Sequence, residues 1–288
     1  MINDVHCHFF STPFFAALGG DAALAKLGWD PPGDAAALAD RWVAELDRSR
    51  VTRAALIGSI PGDAASVATA VQRHAQRFVG FFMVDPTGPD AAAAAADAID
   101  RGGLRAICLF PAMHRFSIQD ERARRLFDVA ATRPGTAVFV HCGVLSVGVR
   151  KKLGLPSAFD IRYGNPIDLH AVALAYPGVR IIVPHFGAGL FREALMLADL
   201  CPNVLVDTSS SNGWIKYHPG LTLAAVFRQA LAVAGPDRLL FGTDSSFFPR
   251  GWVMDVYERQ SAALDEIGVS VEVREKIFGE NFNRVFPA

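Results

Sequence analysis

The sequence has no excess of either charge, no Cys-x-x-Cys pair and no Gly-x-Gly-x-x-Gly. It also has no apolar run near the roughly 18 residues that a membrane-spanning helix requires. Each absence removes a class of function. Lys and Arg number 28 against 29 Asp and Glu, and no Lys/Arg block builds a local positive patch, so neither nucleic acid nor an acidic membrane surface is an expected partner. The cysteines Cys7, Cys108, Cys142 and Cys201 are scattered, three of them in or beside apolar strand-like runs, and read as buried reduced thiols of a cytoplasmic protein. The start Met-Ile-Asn-Asp lacks the basic segment of a cleavable signal peptide, and cleavage would remove the histidines His6 and His8. No repeat or linker interrupts the 288 residues, so one domain over 1–288 is expected.

What is present is an alternation. The hydrophobic fraction of 51% can fill a sizeable core, and short β-branched or aromatic runs alternate with alanine-rich helical patterns. Eight strands are predicted: Ile2–His6, Ala54–Gly58, Phe78–Val84, Leu104–Leu109, Ala137–His141, Arg180–Pro184, Val204–Asp207 and Leu239–Gly242. The spacing leaves room for a helix after each, which favours a parallel sheet. In the long connection from Phe9 to Arg50, loop signals precede a helix capped by Asp34, in which Leu38, Trp42 and Leu46 recur every four residues and would face the sheet. Further helices fit Asp120–Thr132, Asn165–Tyr176, Leu190–Leu200, Leu221–Ala234, Met254–Ile267 and Val271–Gly279. Eight such units in a chain of this length match a (β/α)8 TIM barrel. An open doubly wound sheet is the alternative, disfavoured by the missing glycine fingerprint.

The residues closing these strands carry the chemistry. His6 and His8 sit two apart on a strand, so they project from one face about 6.6 Å apart along it. His141 closes the fifth strand, His185 the sixth and Asp244 the eighth. One polar residue ending an apolar strand is an ordinary cap or turn former. Three histidines and a carboxylate around an open position describe a catalytic zinc site.

The segments Asp4-Val5-His6-Cys7-His8, Phe139-Val140-His141-Cys142, Val183-Pro184-His185-Phe186-Gly187, Phe241-Gly242-Thr243-Asp244 and Lys276-Ile277-Phe278-Gly279-Glu280-Asn281-Phe282 span nearly the whole chain. Together they resemble the amidohydrolase superfamily, in the amidohydrolase-related branch that contains aminocarboxymuconate semialdehyde decarboxylase. The resemblance implies that His6, His8, His141 and Asp244 hold one divalent metal ion, Zn2+ or Mn2+, and that His185 contacts the bound water or the substrate. Dinuclear members place a carbamylated lysine or a glutamate at the end of strand four. Here that strand ends Cys108-Leu109-Phe110-Pro111, which implies one ion. Homodimers are common in this branch.

The implied activity is hydrolysis of a small carboxylated molecule such as a lactone, ester or amide, with decarboxylation of an aromatic or unsaturated acid as the alternative. Lowering the pKa of water from 15.7 to about 7 is worth roughly 12 kcal/mol, whereas proton shuttling typically adds about 10² to 10⁴ fold, so the metal dominates nucleophile formation. Asp244 is expected to take the water's proton or to serve as a ligand only. His185 is expected to orient the water or to stabilise a developing oxyanion. A barrel that has lost its activity would show a lost ligand, and none of the five residues is missing. Cations in the strand-end loops, above all Arg115, Arg162, Lys216 and Arg250, with His114, the run Arg150-Lys151-Lys152 and His218 beside them, point to an anionic substrate. His74 and His170 lie within helical patterns and read as surface or packing residues. Asp207, before Thr208-Ser209-Ser210-Ser211, either supports the site or caps its loop. On strand alternation Cys7 should face the helices, and Asp4 should share the inward face with His6.

Overall fold

A computed structural model describes residues 1–209 and 211–288, with the backbone alone for Ser211 and Asn212. Ser210, named in the sequence reading, lies outside the described residues. The eight strands are β1 Asn3–Phe9, β2 Arg53–Gly58, β3 Phe78–Met83, β4 Ala106–Leu109, β5 Ala137–Val140, β6 Arg180–Val183, β7 Val204–Asp207 and β8 Leu239–Leu240. They pair in parallel in sequence order. Closure between β1 and β8 comes from backbone bonds: Val5 N–H donates to Phe241 O (2.9 Å), Asp244 N–H to His6 O (2.9 Å) and His8 N–H to Ser245 O (2.6 Å). The result is the (β/α)8 barrel expected from the alternation, with helices on the outside.

Two buried layers follow from strand alternation. Val5, Ile57, Phe81, Phe139, Ile182 and Leu240 fill the barrel interior, closed from below by Phe282, Val285 and Phe286. Cys7, Leu56, Ile107, Val138 and Ile181 face the helices, so Cys7 points outward as anticipated, and all four cysteines are free and buried. The helix Ala35–Arg48 begins at Asp34, whose Oδ1 accepts from Ala37 N–H (2.7 Å). Leu38, Trp42 and Leu46 are buried in that outer layer. Truncating the fully buried Trp42 to Ala is expected to lower stability by about 3–5 kcal/mol, measurable by denaturant unfolding of the metal-depleted protein.

The connections depart from the sequence reading at several points, the short helices Pro111–His114 and Asn281–Val285 among them. The stretch read as loop after β1 contains helices Thr12–Ala16 and Gly20–Leu27. Pro13 in the first turn of one and Gly19-Gly20 at the start of the other, read as loop signals, are instead the punctuation of short helices. Another unforeseen helix, Gly148–Leu153, follows β5 and packs on Gly20–Leu27. Conversely, Asn165–Tyr176 is broken into a 3₁₀ turn, Pro166–Leu169, and the short helix His170–Ala175. Among the described residues no helix is long and apolar enough to cross a membrane.

Candidate active site

The register of β1 contains an irregularity that decides what faces the site. Asp4 lies opposite Ala54 and Cys7 opposite Leu56, so Val5 and His6 together span the single place facing Ala55. This bulge turns both Val5 and His6 inward and Asp4 outward beside Cys7. The expectation that Asp4 shares the inward face is thereby corrected. Asp4 works from behind: its Oδ1 accepts from His6 N–H (2.8 Å) and Thr243 N–H (3.2 Å), its Oδ2 from Trp252 Nε1–H (2.7 Å) and the Thr243 hydroxyl (2.5 Å). Burial raises its pKa to about 6 against these hydrogen bonds.

Three side chains converge in front of the bulge. His6 Nε2 lies 3.4 Å from His8 Nε2 and 3.6 Å from Asp244 Oδ1, and His8 Nε2 lies 3.3 Å from the same oxygen. Ligand atoms on a tetrahedron with bonds of about 2.0–2.1 Å stand about 3.3–3.4 Å apart, so these three fit three corners around one divalent ion. The opposite ring nitrogens explain why the pair faces inward with lone pairs. His6 Nδ1 is held by Asp207 Oδ2 (2.7 Å) and Ser209 Oγ (2.9 Å), and Asp207 Oδ1 also accepts from Ser209 N–H (2.6 Å). His8 Nδ1 lies 2.8 Å from Ser59 Oγ, whose own hydroxyl donates to Ile57 O, so the ring donates there. Both imidazoles carry hydrogen on Nδ1 and leave Nε2 free to ligate. Asp207, read as either site support or loop cap, does both.

His141 and His185 face the same cavity, with ring centres 5.2 Å apart. His141 stands outside the set of ligand atoms mutually within 4.8 Å, so three of the four expected ligands cluster. Its Nδ1 is buried without a hydrogen-bond partner among the described residues, and burial beside His185 and His6 holds its pKa well below the usual range. His185 Nδ1 lies 2.9 Å from the Ser209 carbonyl, an acceptor only, so it carries the hydrogen and Nε2 is left as an acceptor. Burial beside His6 also lowers the His185 pKa and keeps it neutral. Asp244 behaves oppositely: burial alone would raise its pKa, but the neighbouring imidazoles of His8, His6 and His185 hold it well below the carboxylate range. His185, Phe186 and Asp244 all have left-handed backbone (φ 56°, 50° and 59°), a conformation costing about 1–2 kcal/mol per non-glycine residue. Such strain at two strand ends aims both side chains into the cavity.

Compared with known families, residues 4–288 match the model described as amidohydrolase. The chain belongs to the amidohydrolase family. Enzymes of this family are typically metal-dependent. Compared with curated protein sequences, the amidohydrolase chain has no match. Among solved structures it is similar to 5-carboxyvanillate decarboxylase LigW from Sphingomonas paucimobilis (15% identity, TM-score 0.66, covering 99% of this chain and 98% of that one). It is also similar to a probable 2-pyrone-4,6-dicarboxylic acid hydrolase from Acinetobacter baumannii with citric acid bound (14%, TM-score 0.67, 99% and 98%). A third is an amidohydrolase from Burkholderia multivorans with bound zinc (18%, TM-score 0.61, 99% and 98%).

The amidohydrolase site opens into a cavity of about 640 Å³. Of the four expected substrate cations, Lys216 and Arg250 line it. Arg115 and Arg162 do not. The left-handed Arg115 sends its guanidinium to Ala158 O (2.6 Å), and Arg162 pairs with Asp160 (2.6 Å), the residue capping its own 3₁₀ turn. His218 is turned away onto Gly189 O (2.9 Å). Lys152 does line the cavity, although the run Arg150-Lys151-Lys152 gave no means of ranking its members without the phase of a helix there. Ser59 and Ser209, which fix the histidines, were also missed; their only signal is position just beyond a strand.

Gly242 makes the site's tolerances testable. A Cβ there would lie 2.7 Å from Asp207 Oδ1, 2.9 Å from His6 Cβ and 3.0 Å from Ser209 Cβ. Gly242→Ala is expected to cost about 1–3 kcal/mol by overpacking and to weaken zinc binding by about 10–100-fold through displacement of Asp207 and His6. Calorimetric zinc titration beside thermal unfolding separates the two effects.

Proposed function

We propose that the protein is a mononuclear metal-dependent hydrolase acting on a small carboxylated substrate of lactone, ester or amide type. The observation that carries this reading is the triangle of His6 Nε2, His8 Nε2 and Asp244 Oδ1 at 3.3–3.6 Å, with both histidine Nδ1 atoms already committed. His6, His8 and Asp244 would hold the ion, and His141, on the lining of the same cavity, would be the fourth ligand. Zn2+ is favoured over Mn2+ because three imidazoles and one carboxylate suit zinc. A bound divalent ion supplies Lewis acidity sufficient to lower the pKa of water to about 7.

The chain's own groups divide the remaining work. Asp244, held ionised, accepts the proton of the attacking water and returns it to the leaving group. His185 Nε2, an acceptor by virtue of the Nδ1–H on Ser209 O, orients the water; a neutral ring in this tautomer has no hydrogen there to offer an oxyanion. Phe10, Phe14, Phe110 and Trp214 wall the cavity and exclude bulk water, while Lys216 and Arg250 favour an anionic substrate.

Decarboxylation of an aromatic or unsaturated acid is the second reading. It is favoured by full-length likeness to a carboxyvanillate decarboxylase, with the same cations steadying the acid and a protonated group supplying hydrogen to the carbon that loses CO₂. The test is a panel of ring lactones, esters, amides and acids incubated in H₂¹⁸O with zinc-loaded protein. One solvent oxygen in the product supports hydrolysis. CO₂ release without ¹⁸O uptake overturns it in favour of decarboxylation.

A further inference from the structure

The cavity's cations differ in what surrounds them. Arg250 places its guanidinium carbon 4.7 Å from the centre of the Phe247 ring and donates to the Asp244 carbonyl (3.2 Å) and Ser246 Oγ (3.0 Å). Lys152 approaches the same ring from the helix Gly148–Leu153, its Nζ 5.9 Å from the centre of Phe247 and 5.6 Å from that of Trp29. Trp29 and Phe247 are stacked at 3.7 Å, 8° from parallel. Lys216 stands apart, 5.1 Å from the Tyr217 ring. Among the described residues none of the three has a carboxylate within ion-pairing distance, although all three line the cavity.

The wall between the histidines and Lys152 is aromatic. His8 lies 5.8 Å from Phe10, Phe10 stacks on Phe14 at 3.9 Å, and the stacked Trp29 and Phe247 belong to the same lining. The helix bearing Lys152 is fixed from the other side: Val149 and Leu153 pack with Phe14, Phe15 and Leu24, and Lys26 Nζ donates to Leu153 O (2.8 Å). A cation held beside a flat apolar wall of the cavity, with no carboxylate partner among the described residues, is arranged to receive an anion that arrives with the ligand.

We infer that Lys152, assisted by Arg250 across the Phe247 ring, forms a second anion subsite, and that the ligand is a flat acid with two anionic groups. One lies at the His6, His8 and Asp244 end, the other at Lys152. This rests on the proposed reading only for the first end; the Lys152 end stands on its own geometry. Lys152 thereby determines specificity without contacting the reacting atoms.

The test compares benzene-1,4-dicarboxylate with benzoate by titration calorimetry on zinc-loaded wild type, Lys152→Met and Lys152→Arg. Methionine keeps the unbranched apolar stem and removes the charge. Wild type should prefer the dicarboxylate by roughly 10- to 100-fold, the range for a charge-assisted hydrogen bond, Lys152→Met should bring the ratio within about 3-fold of unity, and Lys152→Arg should retain most of it. A wild-type ratio near unity, absence of binding by both acids, or an unchanged ratio in Lys152→Met overturns the subsite. Lys152-dependent preference in a protein that takes up no zinc leaves the subsite standing and removes the metal-dependent hydrolase instead.

Discussion

Asp244→Asn should lower kcat/KM by about 10³- to 10⁴-fold, at the upper end of the range for removing a positioned proton-transfer group. The substitution is well controlled. Asp244 has φ 59°, and asparagine tolerates this left-handed backbone as readily as aspartate, so the loop that also carries Ser245 and Ser246 keeps its course. Arg250 still bonds the residue 244 carbonyl. What is lost is the negative charge 3.3 Å from His8 Nε2 and 3.6 Å from His6 Nε2, and the capacity to accept a proton. Zinc content measured beside activity divides the two roles. Zinc retained with turnover lost assigns Asp244 a proton role, whereas zinc lost and activity restored by excess zinc assigns it a ligand role. Undiminished turnover at unchanged zinc would remove it from the mechanism.

The sequence disclosed the barrel because the strands are buried on both faces and their apolar runs are unmistakable between alanine-rich helices. It disclosed the strand-end residues for the same reason: His6, His8, His141, His185 and Asp244 are polar groups at the ends of such runs. What it withheld depends on single-residue geometry. Two residues of β1 share one register position, and no pattern of side-chain types in Asp4-Val5-His6 distinguishes that bulge from regular alternation. Regular alternation therefore puts Asp4 on the inward face below His6, whereas it supports His6 from behind, bound to Trp252 and Thr243. The cations failed differently. Arg115, Arg162, Lys216 and Arg250 all follow strand ends, but whether a long side chain reaches the cavity or a nearby carbonyl depends on loop course, which non-local packing sets. The helices Gly20–Leu27 and Gly148–Leu153 are too short to be stable alone and are held by packing on each other.

Asp207→Asn is expected to cost about 10- to 100-fold in zinc affinity and to reduce kcat further, although residue 207 lies on the far side of the His6 ring from the other ligands. The argument is one of tautomers. Asp207 Oδ1 accepts from Ser209 N–H (2.6 Å) and Oδ2 accepts from His6 Nδ1–H (2.7 Å), which leaves the His6 Nε2 lone pair towards His8 and Asp244. Asparagine must keep its oxygen on the Ser209 amide, because an NH₂ there would face another donor. Its NH₂ then points at His6 Nδ1, favouring the ring with hydrogen on Nε2, the atom required for ligation. In a serine protease triad the corresponding Asp-to-Asn exchange costs about 10⁴ in kcat through the wrong tautomer, which bounds the effect here. Size, burial and the Ser209 bond are conserved, so a simple packing role predicts little change. ¹⁵N chemical shifts of the His6 ring read the tautomer directly, and zinc titration reads its consequence. If His6 keeps hydrogen on Nδ1 in the variant and zinc affinity is unchanged, Asp207 serves only to cap the loop after β7.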